Sequence, residues 1–331
     1  MTASPGSHKG TETGLPQQSP PELRSPTSGR GRILVFVWRW GKTESRRPRT
    51  GIVVGILLLA AIVWHASLRR PTGPEDGFSI QGELSDRRAT QETLRFATFN
   101  IHSGKGADGH YDLERVAQCL AGMDFVALNE VRGWSYARPP DQLEILGRRR
   151  GMGWLFAPAE HRWFCQQFGN GLLSSHTVQY WQRIPLPCRD GRSHRNALLA
   201  VVPYKGGLIR VLITHVTRHT EEARKAQLRS VGELFLALEE PAILVGDMNS
   251  PAADPLMAKI IASPGVIDPL RQAGKASENI IDWILARGFR TVDAGVLDNG
   301  ASDHPMIWAE LAPLDTCRAR GPALPESRNV R

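Results

Sequence analysis

The chain has 331 residues and a formal net charge of +8, and this length accommodates one large domain or two ordinary ones. Eleven of its 41 Lys and Arg residues and three of its 33 Asp and Glu residues precede residue 71, which leaves thirty of each sign beyond that point. Because the remainder is neutral as a whole, the basic isoelectric point is no evidence for a nucleic-acid-binding main domain.

The N-terminal region predicts a tail followed by a membrane anchor. Residues 1–50 are basic and rich in Ser, Pro and Gly, which is typical of disorder. Residues 51–68 contain no Asp, Glu, Lys or Arg, and as a helix they would extend about 27 Å, close to the thickness of a bilayer core. The neighbouring arginines argue against a buried core helix, and Trp64-His65-Ala66 lacks the small residues of a signal cleavage site.

The distribution of basic residues also predicts an orientation. They are more numerous before the span than after it, so we expect a cytoplasmic N-terminus and a main domain outside the cytoplasm. The sequence then predicts a polar linker at residues 69–93, a folded domain at 94–312 and a disordered tail at 313–331.

Strand and helix patterns alternate through the folded domain. The apolar patterns predict strands at residues 94–100, 124–131, 171–180, 196–202, 208–214, 243–247, 280–285, 291–297 and 306–311. Helical spacing predicts helices at residues 111–122, 142–150 and 220–238. Strand-rich stretches with interspersed helices indicate an α/β fold of two packed sheets covered by helices.

Five polar clusters end apolar runs, and a sixth lies inside one. The clusters are Asn100-Ile101-His102, Asn129-Glu130, Thr214-His215, Asp247-Met248-Asn249, Ser302-Asp303-His304-Pro305 and, within an apolar strand, Asp282. A single such residue is usually a cap or an Asx turn. A buried carboxylate needs a partner, however, and a histidine is the natural candidate for Asp282.

The residue types in these clusters favour a particular metal chemistry. Carboxylate and amide oxygens are the ligands of hard cations such as Mg²⁺ or Mn²⁺, and the absence of any C-x-x-C pattern argues against a thiolate zinc site. Metal, carboxylate and two histidines together suit water attack on a phosphate ester. Of the cysteines, Cys119 is predicted to be a core thiol, while Cys165 and Cys188 either form a disulfide outside the cytoplasm or stay reduced.

The order of the motifs resembles a known superfamily. The chain reads Phe-Asn-Ile-His, Leu-Asn-Glu-Val, Gly-Asn-Gly-Leu-Leu-Ser, Arg-Asn-Ala-Leu, Thr-His-Val, Gly-Asp-Met-Asn-Ser-Pro, Ile-Asp-Trp-Ile and Ser-Asp-His-Pro. This order, over about residues 94–311, is similar to the endonuclease/exonuclease/phosphatase superfamily, which includes DNase I-like and exonuclease III-like nucleases, neutral sphingomyelinases and inositol-phosphate phosphatases. The resemblance implies a four-layer α/β sandwich with its site at one end of the two sheets.

The resemblance also implies which residues hold metal and substrate. Glu130 matches the main metal-binding glutamate, Asn100 matches an asparagine near that metal, and Asp303 matches an acid close to it. The expected ion is Mg²⁺ or Mn²⁺. Asn170 and Arg195 match less constant positions that bind substrate.

The remaining matches are to residues that carry out the reaction. Asp247 and Asn249 match the pair that orients or deprotonates the attacking water and holds the phosphate. His215 matches a histidine that contacts the phosphate or assists the leaving group. His304 matches a base oriented by Asp282, and whether Asp247 or His304 takes the proton is left open by the resemblance.

Four histidines are left out of the predicted site, and the sequence departs from the family pattern at one position. His102, His176, His194 and His219 are predicted to be surface or structural residues. His304 is followed by Pro305-Met306, where many relatives have Arg-Pro, so one phosphate-side cation is missing.

The sequence therefore predicts a membrane-anchored, divalent-metal phosphoesterase whose partner is a phosphate-ester substrate. A phospholipid or small phosphate ester suits the anchor and the neutral domain, and a nuclease that uses a patch such as 148–150 is the alternative. A catalytically inactive binding module on the same fold is a third reading, which the presence of Glu130, Asp247 and His304 disfavours.

Overall fold

The computed structural model describes residues 47–68, 70–82, 92–134, 141–161 and 167–314. Its helices are α1 (Arg47–Ser67), α2 (Leu113–Cys119), α3 (Gln142–Arg150), α4 (Glu221–Ala237), α5 (Pro255–Ile261) and α6 (Pro269–Gln272), with a 3-10 turn at His102–Gly104. Its strands are β1 (Arg70–Pro71), β2 (Glu75–Gly77), β3 (Leu94–Asn100), β4 (Phe125–Arg132), β5 (Gly153–His161), β6 (Phe168–Ser174), β7 (Tyr180–Pro185), β8 (Asn196–Tyr204), β9 (Gly207–His215), β10 (Ala242–Asp247), β11 (Asp282–Arg287), β12 (Phe289–Leu297) and β13 (Met306–Pro313).

The strands form two mixed sheets. The first has the order β1-β5-β6-β4-β3-β13-β12, and the second has the order β11-β10-β9-β8-β7-β2. Only β3 with β4 and β9 with β10 run parallel, and the other paired strands are antiparallel. The predicted α/β class with two packed sheets is confirmed.

Three apolar clusters define the layers between sheets and helices. The inner cluster joins the facing sides of the two sheets, with Phe96 from the first and Ile243 from the second. A second cluster packs α2 and α3 on the outside of the first sheet, and a third packs α4 and α5 on the outside of the second. Both faces of the central strands are therefore covered, which explains why β10 is buried along its whole length.

The structure corrects the prediction of one strand over residues 171–180. Strand β6 ends at Ser174 in the first sheet, and β7 begins at Tyr180 in the second sheet. The chain leaves the first sheet at Ser174, whose hydroxyl donates to the carbonyl of His176 at 2.6 Å and accepts from its amide at 3.0 Å. Strands β5 and β7 and helices α5 and α6 were not predicted.

The segment predicted to be a linker contributes to both sheets. Strand β1 pairs with β5 at the edge of the first sheet, and β2 pairs with β7 at the edge of the second. Arg183 fixes the segment through an ion pair with Glu75 at 2.7 Å and a hydrogen bond from its Nε to the Gly73 carbonyl at 3.0 Å. The folded region thus begins before Leu94 because both sheet edges gain hydrogen-bonding partners.

The chain divides into two compact units, Met1–Val53 and Val54–Arg331, and the division falls within α1. Helix α1 forms where a membrane span was predicted, and its apolar side chains, such as Leu57, are exposed. Within the described ranges, however, no helix has both the length and the apolar character needed to cross a membrane.

The two predictions about cysteines have different outcomes. Cys119 lies in α2 and is buried in the cluster beneath the first sheet, as predicted. Cys165 is outside the described residues, as are the tails 1–46 and 315–331, so the disulfide and tail predictions stay predictions.

Candidate active site

Strand ends from both sheets meet at one edge of the sandwich. In the first sheet Asn100 is paired with Asn129 at the carboxyl ends of the parallel strands β3 and β4. In the second sheet Asp247 ends β10 between His215 at the end of β9 and Asp282 at the start of the antiparallel β11. Parallel pairing brings carboxyl ends together, so the predicted clusters converge.

Three buried asparagines connect the sheets behind this edge. The Asn129 side chain donates to the Thr214 carbonyl at 3.0 Å and to Asn170 Oδ1 at 2.9 Å, and its own Oδ1 accepts from the Asp247 amide at 2.9 Å. Asn170 Nδ2 in turn donates to Asn196 Oδ1 at 3.0 Å and to its carbonyl at 3.1 Å. We call Asn129, Asn170 and Asn196 the asparagine clamp.

The clamp gives Asn170 a structural role, and its predicted role in substrate binding stays a prediction. The clamp contains residues of both sheets: Asn129 and Asn170 belong to the first sheet, and Asn196 belongs to the second. Asn170 is 2% exposed and has two acceptors for its amide hydrogens, which fixes it in the interior. The sequence marked Asn129 and Asn196 within motifs but did not show that they hold the sheets together.

Asp247 is the most highly connected carboxylate of the site. Its Oδ2 accepts from Asn100 Nδ2 at 3.0 Å and lies 3.5 Å from His215 Nε2, while its Oδ1 accepts from the Asn249 amide at 2.8 Å. That last bond is the Asx turn expected of an Asp-x-Asn sequence, so the local turn and the functional arrangement coexist. Asn249 is held by its Nδ2, which donates to the Val216 carbonyl at 2.8 Å.

The predicted contact between Asp282 and His304 is present. His304 Nδ1 lies 2.7 Å from Asp282 Oδ2, and Asp282 is buried at the start of β11. Ligand atoms of Asp247, Asp282 and His304 all lie within 4.8 Å of one another, a spacing that would also suit a cation. Asp282 thus has the histidine partner that its burial requires.

The pKa values of Asp247 and His304 are both raised, for different physical reasons. Burial, reinforced by the charge of Asp282, raises the pKa of Asp247 to about 7 against the opposing effect of His304. Burial alone would lower the pKa of His304, but its hydrogen bond to Asp282 and the nearby carboxylates outweigh burial and raise it to about 9. At neutral pH, His304 is therefore cationic.

His215 differs from His304 although it also lies near a carboxylate. Full burial lowers its pKa well below the usual value, and the charges of Arg195, His304 and Arg218 lower it further. The 3.5 Å separation from Asp247 is too long to offset these effects, and we therefore assign His215 the neutral form.

Glu130 lies at an irregularity in β4. The pairing of β4 with β6 shifts between Leu128 and Val131, and Glu130 has a φ of 57°. Such a bulge re-aims side chains, and here it leaves Glu130 half-buried at the edge of the site. Within the described part of the chain no hydrogen-bond donor or cation reaches its carboxylate, as expected of a carboxylate that binds a metal.

Left-handed backbone is concentrated at this edge. Five described non-glycine residues have positive φ, namely His102, Ser103, Glu130, Lys205 and Asn249. All except Lys205 belong to the strand ends that form the site. Since each such residue costs about 1–3 kcal/mol, their clustering marks a functional site.

The turn before β13 brings Asp303 and a histidine that was not predicted to the site. Ser302 Oγ donates to the Asn100 carbonyl at 2.7 Å, which attaches this turn to the end of β3. Asp303 is exposed, and its Oδ1 lies 3.4 Å from His102 Nδ1. His102 therefore belongs to the site edge, and its position directly after Asn100 in the first motif was the available signal.

Two arginines lie near His215, each against the ring of Phe168. The guanidinium carbon atoms of Arg132 and Arg195 lie 4.9 and 5.6 Å from the centre of the Phe168 ring, and that ring is 6.4 Å from His215. Arg195 thus lies near His215, and its predicted role in substrate binding stays a prediction. Arg132 and Phe168 were not predicted because their contact depends on the pairing of β4 with β6.

Gly246 allows β9 and β10 to approach, and this gives a first prediction. Its φ is 137°, and a Cβ added there would lie 1.9 Å from the Thr214 carbonyl oxygen. We expect Gly246→Ala to lower the free energy of unfolding by about 3 kcal/mol or more, because the strands must separate. Gly206→Ala is the control: its φ is 78° with no atom near an added Cβ, so it should cost about 1 kcal/mol. Equal losses in urea unfolding would contradict the close-approach argument.

The raised pKa of His304 gives a second prediction, on stability against pH. Folding raises this pKa from 6.5 to about 9, so its stabilising effect is complete below 6.5 and is lost as pH rises through 9. The free energy of unfolding, measured in EDTA, should fall over that range. Asp282→Asn should flatten the fall, whereas replacement of the exposed His219 by Asn should not. An unchanged slope in Asp282→Asn would refute the coupling.

Comparison with known proteins identifies the family. The profile described as Endonuclease/Exonuclease/phosphatase family matches residues 97–304, which is more than half of the chain. The chain belongs to this family. Endonucleases, exonucleases and phosphatases all cleave phosphate esters, so the protein is a hydrolase acting on phosphate ester bonds. No curated protein matches the chain significantly.

Solved structures share the fold of this endonuclease/exonuclease/phosphatase member. A family protein from Beutenbergia cavernae DSM 12333 is 26% identical, with a TM-score of 0.57 and coverage of 68% of this chain and 72% of that one. A humanized D. rerio TDP2 is 23% identical, with a TM-score of 0.52 and coverage of 67% and 99%. A mannosyl-6-phosphatase from Bacteroides thetaiotaomicron VPI-5482 is 16% identical, with a TM-score of 0.53 and coverage of 66% and 99%.

The oxygen donors at this edge of the protein are suited to bind a divalent cation. Glu130 provides a half-buried carboxylate that no described residue contacts by a hydrogen bond or an ion pair, and Asn100 and Asp303 provide further oxygen atoms at the same edge. Oxygen donors of this kind bind Mg²⁺ or Mn²⁺. Neither described cysteine, Cys119 nor Cys188, is among the residues assembled at the site.

Proposed function

We propose that the protein is a divalent-metal-dependent phosphoesterase that hydrolyses a phosphodiester or phosphomonoester by attack of a metal-assisted water. The observation that supports this most directly is the carboxylate of Glu130, which has no partner among the described residues. Glu130 directly follows Asn129, whose side chain accepts from the Asp247 amide, so this carboxylate lies at the same edge of the sandwich as Asp247. Glu130 would hold Mg²⁺ or Mn²⁺ together with Asn100 and Asp303. When bound, the ion would polarise the phosphate and lower the pKa of a bound water.

In this proposal, Asp247 accepts the proton and His304 stabilises the negative charge. With its pKa near 7, Asp247 is suited to take a proton from the attacking water at neutral pH. His304 is cationic at that pH and would stabilise negative charge on the phosphate, in place of the Arg that many relatives have after this histidine. We therefore propose Asp247, rather than His304, as the proton acceptor.

Neutral His215 and the amide of Asn249 complete the proposed arrangement. His215 is adjacent to Asp247 and can donate a hydrogen bond to a phosphate oxygen or a leaving group without carrying charge. Asn249, fixed by Asp247 and Val216, would contact the phosphate. Arg195 and Arg132 lie on the His215 side and favour an anionic substrate.

The substrate class is proposed in the order lipid or small phosphate ester first, and nucleic acid second. The neutral composition of residues 71–331 supports the first. A specific observation supports the second: a neighbour with 21% identity and a TM-score of 0.51 is D. rerio TDP2 complexed with a single-strand DNA product. The nuclease alternative would use Arg132 and Arg195 for the flanking phosphates.

A hydrolysis screen of the full chain tests this proposal. The purified protein, with Mg²⁺ or Mn²⁺, is offered DNA, RNA, phospholipid vesicles, sugar phosphates and bis-p-nitrophenyl phosphate. An Asp247→Asn protein serves as the inactive control. Turnover of any ester that requires both the metal and Asp247 supports the proposal, and no turnover by a folded, metal-loaded protein would reject it.

The salt dependence of binding separates the two substrate classes. Neutralisation of many phosphates makes affinity fall steeply with salt, whereas a domain with balanced charge makes few such contacts. For the lipid or small-ester substrate, we expect only a mild fall in affinity between low and physiological salt. A steep logarithmic slope with DNA or RNA, measured with the Asp247→Asn protein, would favour the nuclease.

The location at a membrane is also part of the proposal. Residues 51–68 lack ionisable acidic and strongly basic side chains, and the apolar side chains of α1 are exposed, which supports attachment to a membrane with the catalytic domain outside the cytoplasm. Recovery of the full chain in the soluble fraction would reject the anchor. A reporter fused after Arg331 that is active only in the cytoplasm would reject the orientation.

A further inference from the structure

One carboxylate oxygen of Asp282 is buried without a hydrogen-bond partner among the described residues. Its Oδ2 contacts His304, while its Oδ1 is buried and has no hydrogen-bond partner among the described residues. Asp282 is only 3% exposed, so bulk solvent does not compensate this oxygen. A buried carboxylate oxygen without a donor costs free energy, and its position needs an explanation.

A second carboxylate nearby has the same deficiency. Asp268 is 7% exposed, and its Oδ1 accepts from the Arg271 amide at the start of α6 at 3.1 Å. No described residue forms a hydrogen bond to its Oδ2, and Arg271 Nε forms only a longer ion pair with it, at 3.6 Å. This Oδ2 does not serve the cap of α6, which uses the other oxygen.

Both carboxylates border one small cavity. The cavity has a volume of about 20 Å³, and Asp268, Asp282 and Ser277 are on its wall. Much of the remaining wall is apolar, including Leu270 and Ile307. A single water requires about 10–15 Å³ and two to four polar partners, so this cavity has the size and the chemistry for one water molecule.

We propose that one buried water in this cavity donates its two hydrogens to Asp282 Oδ1 and Asp268 Oδ2, and that Asp268 is thereby a positioning residue for the catalytic pair. Two carboxylates cannot hydrogen-bond to each other when both are ionised, whereas water has two donors and satisfies both. Because the water's hydrogen bond fixes Oδ1 of Asp282, the carboxylate cannot rotate and its Oδ2 stays directed at His304. The inference rests on the proposed role of His304, and Asp268 itself touches no reacting group.

Variants that keep the helix cap separate this role from a structural one. Ser caps a helix as well as Asp does, but its single oxygen cannot cap α6 and also reach the water. For Asp268→Ser we expect roughly a 10-fold fall in kcat on bis-p-nitrophenyl phosphate with KM unchanged. Asp268→Asn retains both the cap and a polar atom toward the cavity, so it should restore near-normal kcat.

The chain contains a matched control for the cap. Asp254-Pro255-Leu256 has the same three residue types as Asp268-Pro269-Leu270, and Asp254 caps α5 by accepting from the Leu256 amide at 2.9 Å. Unlike Asp268, it also forms an ion pair with Arg224 at 2.6 Å. Because Asp254→Ser also removes the ion pair with Arg224, it should lower thermal stability at least as much as Asp268→Ser does, yet without the fall in kcat. Equal effects of both variants on kcat would overturn the proposal.

Two measurements decide the inference independently of activity. A crystal structure of the full chain should show one ordered water within hydrogen-bonding distance of Asp268 and Asp282. The NMR resonance of the His304 Nδ1 proton should move in Asp268→Ser and stay in place in Asp268→Asn and Asp254→Ser. An empty cavity, an unmoved resonance in Asp268→Ser, or equal losses in the Ser and Asn variants would overturn it. Absence of any hydrolysis by the wild-type protein would reject the proposed function alone.

Discussion

Replacement of Asp247 by Asn should lower kcat by about 10³-fold while leaving the protein folded. Asn has the same shape and can still accept from the Asn249 amide, so the turn after β10 should persist. It cannot take a proton from water, and it lacks the charge that acts on His304. Steady-state kinetics on the best substrate of the hydrolysis screen measure the effect.

Asp254→Asn is the control for this variant. Asp254 is also a buried Asp that accepts hydrogen bonds from nearby backbone amides, but it caps α5 and pairs with Arg224 at 2.6 Å. We expect kcat of the control to remain within about threefold of wild type because Asp254 lies outside the proposed proton path. If the two variants lose activity equally, Asp247 is not the proton acceptor.

Replacement of Glu130 by Gln should raise the Mg²⁺ concentration needed for half-maximal activity by at least 10-fold, and reduce the maximal rate by roughly 100-fold. Gln preserves the size of the side chain on this left-handed backbone but removes the anionic ligand. Direct binding of Mn²⁺, followed by electron paramagnetic resonance, should weaken in parallel. This second readout does not depend on turnover.

Glu144→Gln is the matched control for Glu130→Gln. Glu144 lies on α3 and pairs with Arg148 at 2.9 Å on the surface. Its loss should leave Mn²⁺ binding unchanged and cost at most about 0.5 kcal/mol of stability. Wild-type Mn²⁺ affinity in folded Glu130→Gln would show that another group holds the metal.

Much of the site could be predicted because its residues end apolar strands. The apolar runs of β3, β4 and β10 mark buried strands, and the polar residue that ends each run then lies at the edge of the sandwich. The pairing of Asp282 with a histidine followed from the cost of an unpartnered buried carboxylate. These arguments are local, or depend on one physical requirement, and the structure agrees with them.

The features that could not be predicted from the sequence depend on contacts between strands that are distant along the chain. The structural role of Asn170 depends on Asn129 and Asn196, which approach it only when the sheets pack. The contact of Arg132 with Phe168 similarly requires the pairing of β4 with β6. Strands β5 and β7 were missed because polar and aromatic residues interrupt their apolar pattern, which tertiary packing nevertheless accommodates.

The asparagine clamp fixes the relative position of the two sheets, and the enzyme's activity depends on that position. Asn100 and Glu130 come from one sheet and His215 and Asp247 from the other, so relative sliding of the sheets would misalign the groups without unfolding either sheet. Displacements of about 1 Å are enough to cost an enzyme 10²-fold in rate. On warming, activity should therefore decline at a lower temperature than the loss of secondary structure, and the interval between the two temperatures would measure the rigidity of the clamp.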